Sequence, residues 1–169
     1  MEVLTAIKTR RSIRKYLKDD ISDEQINILL EAAMYAPSAG NAQPWHFIVI
    51  RDRETMNKIP TFHPYAKMLY EAPAAILVCG DLSSEKYPGR WVMDCSAATQ
   101  NILLAAHTIG LGTVWIGIYP SEERMLPIIE LFRIPANIIP VSLIAVGYPN
   151  ENKEVPNRFK PERIHFEKF

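Results

Sequence analysis

Arg10-Arg-Ser-Ile-Arg14 places three guanidinium groups and a hydroxyl within five residues. Guanidinium forks meet phosphate oxygens bidentately, and Ser12 adds a neutral donor. So compact and isolated a cluster suits one phosphate monoester better than a long polyanion. The alternative is a solvated basic turn that favours the C-terminal end of the helix before it. A second constellation lies in Ala36-Pro-Ser-Ala-Gly-Asn-Ala-Gln-Pro-Trp-His-Phe-Ile-Val49. Pro37, Ser38, Gly40, Asn41 and Pro44 are turn chemistry. Asn41 and Gln43 each carry an amide that donates and accepts hydrogen bonds. A loop of this kind on a rigid strand can meet a flat heteroaromatic ring edge-on.

Other chemistry is thin. Gly110-Leu-Gly-Thr-Val-Trp-Ile-Gly117 is glycine-rich, but it enters a strand from a helix, the reverse of a dinucleotide fingerprint. No P-loop pattern occurs. His107 sits in an alanine-rich helical stretch, Cys79 ends an apolar strand and reads as inert, and no carboxylate pair is placed for acid–base work. With no catalytic set of its own, the chain is expected to use a cofactor that carries the chemistry.

These residues need a frame. Val3–Thr9 reads as a short helix with Val3, Leu4 and Ile7 inward. Ser22-Asp-Glu-Gln25 is a capping-box pattern, so a helix is expected over residues 23–35. The charge-free run from Trp45 suits a strand at 45–51, covered on both faces. Further strands are expected at 74–80, 113–119 and 141–147. The longest helix is expected over 91–109, with Gly110 capping its end. Gln100 and Asn101 lie in that apolar stretch. Buried amides need partners, which a second copy of the helix could supply, or Gln100 faces solvent. A helix over 121–132 would be distorted at Pro127. The tail, 150–169, starts loop-like, and Ile164 and Phe166 suit a short strand added to a sheet edge of this or another subunit. Interleaved helices and strands with unequal connections support a mixed sheet in the α+β or α/β range.

The whole is one domain, 1–169. Its 169 residues include 48% apolar and 22% charged, an ordinary globular balance with room for a core. Nineteen basic and nineteen acidic residues cancel, so nucleic-acid binding has no global electrostatic support. No apolar run approaches a membrane span, and Met1-Glu2-Val3 opens no signal-peptide layout. Two cysteines without metal spacing suit reduced thiols in the cytoplasm.

The arginine cluster, the loop from Pro37 to Trp45, and Gly110–Gly117 occur here in the order found in the FMN-dependent nitroreductase family. The chain resembles that family along its whole length, Gly147-Tyr-Pro149 and Arg158 included. The first two motifs together, at this spacing, are specific. The resemblance implies an α+β, three-layer fold whose mostly antiparallel mixed sheet is flanked by helices. It also implies a homodimer with FMN at the interface and C-terminal strands exchanged between subunits. Arg10, Ser12 and Arg14 would hold the phosphate and ribityl end, with Arg11 nearby and Arg158 reaching in from the exchanged tail. Pro37, Ser38 and Ala39 would line the isoalloxazine from the other subunit, and Asn41 and Gln43 would meet its polar edge or ribityl chain. Lys67 matches a lysine near flavin N1 and O2, where reduction places negative charge. Taken without the family it is an exposed helical lysine. Ile116 and Gly117 would lie under the ring, the Gly117 N–H directed at N5.

The implied activity passes electrons from NADH or NADPH to an electron-poor small molecule, a nitroaromatic or quinone, by a ping-pong cycle. A flavin store or sensor without turnover is the alternative. Departures from the family pattern are the short segment between Gly80 and Trp91, Pro64 in place of a polar residue, and Ala39 in place of serine. The substrate side would then be more open, or walled by Tyr87, Trp91 or the Tyr119 region of either subunit.

Overall fold

A computed structural model describes residues 1–169. Five helices and four strands follow the chain in the order α1 (Val3–Thr9), α2 (Asp23–Met34), β1 (Trp45–Ile50), α3 (Arg53–Phe62), β2 (Ala74–Asp81), α4 (Trp91–Thr108), β3 (Gly112–Gly117), α5 (Glu122–Phe132) and β4 (Ile138–Gly147). Local rules account for several ends. Ser22 accepts from the Gln25 N–H while the Gln25 side chain accepts from the Ser22 N–H, a complete capping box that starts α2. Gly110, at φ +83°, takes the left-handed position just after α4. Asp52 accepts from the Thr55 N–H at 2.7 Å and starts α3, an element the hydrophobic spacing does not announce. α5 runs through Pro127 without a break.

The strands form one antiparallel sheet in the order β1-β2-β4-β3. Alternate residues of β2 point to opposite faces. Ala74, Ile76 and Val78 meet α2 and α4 through Leu29, Cys95, Ala98 and Ile102. Ala75, Leu77 and Cys79 join Met56, Ile59 and Ile128 on the face of α3 and α5. Every residue of β2 is buried. The result is three layers around two cores, as the α+β reading requires, but the four strands are all antiparallel rather than mixed.

Three expectations change. β1 is an edge strand, so only Trp45 and Ile50 are buried and the covered-on-both-faces reading fails. Val3, Leu4 and Ile7 are 69%, 69% and 50% exposed, and the residue α1 turns inward is Ala6. A helix of seven residues has a narrow inner face, which one small residue fills against α4. Residues 150–169 form no strand within this chain and carry only a short 3-10 turn, Pro161–Arg163. Gln100 is exposed, whereas Asn101 donates to Ala32 O at 2.9 Å. Cys79 and Cys95 are free and buried, and burial pushes both thiols up to about 12. No helix is long and apolar enough to cross a membrane.

Candidate functional site

The arginine cluster runs along the outer edge of β3. Ile13 N–H donates to Thr113 O at 2.9 Å, and Ser12 bridges Thr113 in parallel. The approach is close because Gly112 has no side chain, since a Cβ there would lie 2.8 Å from Ile13. The chain leaving β4 fixes the segment from the other side. Asn150 N–H donates to Lys15 O, Lys153 Nζ donates to Ser12 O at 2.7 Å, and Glu151 accepts from the Arg14 N–H. Burial raises the Glu151 pKa, but the Arg14 N–H and the Lys153 ammonium outweigh it and hold the carboxyl below its ordinary value.

Arg10 and Arg158 face one cavity of about 560 Å³. Arg14, Lys67, Ile116 and Gly117 border another of about 420 Å³. None of Arg10, Arg14, Lys67 and Arg158 is paired with a carboxylate. The Arg10 guanidinium is held below its ordinary pKa by burial first, then by the Arg158 and Arg11 charges. Unpaired cations that repel one another are a set an anion would relieve. Over Gly117 there is open space, with only Arg124 Nη1, at 4.0 Å, near a Cβ position. The donor set and the open floor therefore fit a flat ring carrying a phosphorylated side chain. Arg11 differs from its neighbours. Its guanidinium donates to Glu154 O at 2.9 Å and Lys8 O at 3.2 Å, and also to Arg10 O. It clamps the end of α1 to the tail.

The amide loop lies elsewhere. It precedes β1, on the opposite edge of the sheet from β3. Three strand spacings of about 4.8 Å put the two edges roughly 14 Å apart. None of Pro37, Ser38, Ala39, Asn41 and Gln43 borders the cavities of Arg10 or Arg14. The loop is shaped within its own chain. Gly40, Asn41 and Gln43 have φ of +60°, +54° and +49°. Gly40 takes that conformation freely, whereas Asn41 and Gln43 carry strain in it, and such strain concentrates at functional sites. Ser38 Oγ accepts from the Gln43 N–H at 3.0 Å, and Gln43 Nε2 donates to Asn41 Oδ1 at 2.8 Å. Lys86 Nζ donates to Gly40 O, and Tyr87 packs so close that a Cβ on Gly40 would lie 2.9 Å from its ring.

Asp94, near the start of α4, is the anchor that residue spacing gives no sign of. Its Oδ1 accepts from the Ala39 N–H at 3.0 Å, while Oδ2 is buried without a partner. Asp94→Ala leaves that N–H unpaired and is expected to lower stability by about 1–2 kcal/mol, whereas Asp94→Asn keeps the acceptor and costs less than half of that. Urea unfolding gives the energies, and faster proteolysis at residues 37–43 in the alanine variant locates the loss. Trp91 is buried and packs edge-on against Tyr119 with centroids 5.1 Å apart, and Tyr87 is exposed against the loop.

His63 and Arg124 are the other residues not anticipated. Both reach Gly117 O, His63 Nε2 at 2.9 Å and Arg124 Nη1 at 3.2 Å. His63 is fully buried, and its Nδ1 has no partner. Burial, first, and the Arg124 charge hold its pKa below 6.5, although the Gly117 bond opposes them. The native state therefore carries the ring neutral. Its stabilisation is complete above the unfolded value of about 6.5 and is lost as pH falls from there toward the depressed folded value. His63→Gln retains a donor and is expected to flatten unfolding free energy against pH below about 6.5.

The model of the Nitroreductase family matches residues 7–62 and 60–148. A protein of Methanothermobacter thermautotrophicus named "Putative NADH dehydrogenase/NAD(P)H nitroreductase" is 57% identical over 169 residues, covering 100% of this chain and 88% of that one. A crystal structure of the same description from Parabacteroides distasonis superposes with a TM-score of 0.95 at 38% identity, covering 99% of this chain and 98% of that one. A Desulfovibrio desulfuricans structure described as a "putative nitroreductase in complex with fmn" superposes with a TM-score of 0.86 at 34% identity, covering 100% of this chain and 98% of that one.

Proposed function

This chain belongs to the nitroreductase family, and on that premise we propose that it is an FMN-dependent NAD(P)H oxidoreductase acting on a nitroaromatic or quinone. The observation that carries the reading is the cavity over Gly117, bordered by Arg14 and Lys67 with no carboxylate to neutralise them.

Arg10, Ser12, Arg14 and Arg158 would hold the FMN phosphate and ribityl end. Arg11 supports them by fixing the end of α1, and contributes its charge rather than its donors. Lys67, on the same cavity, would stabilise negative charge on the pyrimidine edge of the reduced ring. Ile116 and Gly117 form the floor, and the His63 and Arg124 bonds to Gly117 O keep it still. FMN, when bound, supplies the hydride and electron transfer. Donor and acceptor would then meet the same bound ring in turn, a ping-pong cycle.

The separation of the amide loop from the cluster supports a homodimer in which Pro37, Ser38, Ala39, Asn41 and Gln43 complete the partner's site. The exposed Val3, Leu4, Ile7 and Tyr35 offer apolar surface for it. The unpaired outer edge of β1, with Ile164, Phe166 and Phe169 exposed on the tail, supports exchange of a C-terminal strand. Two buried free thiols support a reducing compartment, the cytoplasm.

The test is anaerobic stopped-flow mixing of the FMN-loaded protein with NADH or NADPH. Flavin absorbance bleaches with at least one donor and returns on adding 4-nitrobenzamide or a benzoquinone. No bleaching with either donor leaves only the store or sensor reading.

A further inference from the structure

The cavity over Gly117 contains one cation, Arg124, to which the FMN contacts proposed above give no role beyond its bond to Gly117 O. Arg124, in the first turn of α5, places Nη1 3.2 Å from Gly117 O and its Cζ 5.2 Å from the centroid of the Tyr65 ring. That carbonyl is the one protein acceptor of its guanidinium, which has five N–H donors. Glu122 and Glu123 are its chain neighbours, yet neither pairs with it. No carboxylate lines the cavity. His63 Nδ1, buried and without a partner, belongs to the same wall.

A guanidinium held at one nitrogen by a carbonyl and across one face by an aromatic ring has lost much of its rotamer freedom already. Its remaining fork is preorganised for a planar oxyanion. Position then selects the ligand. Arg124 touches Gly117, so the charge it meets must lie close to the ring that reacts over that glycine. A carboxylate attached directly to an aromatic acceptor satisfies this. The phosphates of a nicotinamide donor do not, because at least a ribose separates them from the reacting ring.

We propose that Arg124, supported by Tyr65, is a specificity-determining residue that binds the carboxylate of a flat aromatic acceptor. The proposal rests on the oxidoreductase reading above. A suitable probe is 4-nitrobenzoate. Its first two-electron reduction consumes NAD(P)H and a proton and yields 4-nitrosobenzoate, NAD(P)⁺ and water. Its uncharged counterpart is 4-nitrobenzamide.

The experiment is calorimetric titration of both compounds into oxidised, FMN-loaded protein, with kcat/KM measured for both. The parent prefers 4-nitrobenzoate. In Arg124→Gln, which keeps a donor for Gly117 O, the benzoate-to-benzamide ratio falls about tenfold in Kd and in kcat/KM, and Arg124→Lys recovers part of it. If Arg124→Gln does not fold, Tyr65→Leu replaces it and lowers the same ratio by a smaller factor. Three results overturn the proposal: a parent without preference, a ratio unchanged in the variant that folds, or a change confined to NADPH against NADH. Failure of the oxidoreductase reading is visible separately, as absence of bleaching by either donor, while the calorimetric ratio still reports on Arg124.

Discussion

Arg14→Glu lowers FMN affinity by at least about a hundredfold, equivalent to ~3 kcal/mol, and the protein purifies colourless. The substitution removes a charge-assisted partner and sets a carboxylate where the FMN phosphate is proposed to lie. The Arg14 side chain is exposed and makes no hydrogen bond within the chain, so the fold keeps its stability. Fluorescence titration of the apoprotein with FMN measures the affinity, and thermal unfolding without FMN controls for the fold. Unchanged affinity would remove Arg14 from the phosphate set.

Truncation before Arg158 is expected to weaken the dimer and flavin binding together. It deletes Arg158 from the cavity it shares with Arg10, so the relief an anion gives that guanidinium pair is reduced. It also deletes Phe159, Ile164, Phe166 and Phe169, all exposed in the single chain. Burying one such side chain contributes about 1.5–3 kcal/mol. Sedimentation should show the dissociation constant rising by several orders of magnitude, and flavin content per subunit should fall with it. A truncated dimer that stays yellow would make the tail dispensable.

Elements governed by short-range rules were legible. Ser22 with Gln25, and Gly110 after α4, are specified by residues a few positions apart, and the structure has them. Position within the sheet was not legible. The run from Trp45 is apolar enough for a central strand, yet β1 lies at an edge, because strand order is decided by tertiary pairing. α3 was missed because Pro60 interrupts its pattern, although Asp52 and Thr55 carried a capping signal. Within the site, the Arg10–Arg14 cluster proposed to meet a phosphate has a residue type that announces it, whereas Lys67 is singled out only by the family resemblance. Asp94, His63, Arg124 and Glu151 instead bind the Ala39 N–H, Gly117 O and the Arg14 N–H. Backbone atoms are the same at every residue, so such partnerships leave no mark in a sequence.

The loop before β1 is finished inside its own chain, while the arginine cluster lies on the far edge of the sheet. In a dimer built this way, each catalytic centre is a composite of two different polypeptides. Damage to the two halves should then complement. Arg14→Glu subunits and Asp94→Ala subunits would each be impaired alone, yet a mixed dimer would recover one intact centre out of two. Co-expression of the two variants, followed by flavin counting on the hybrid, would show half-occupancy.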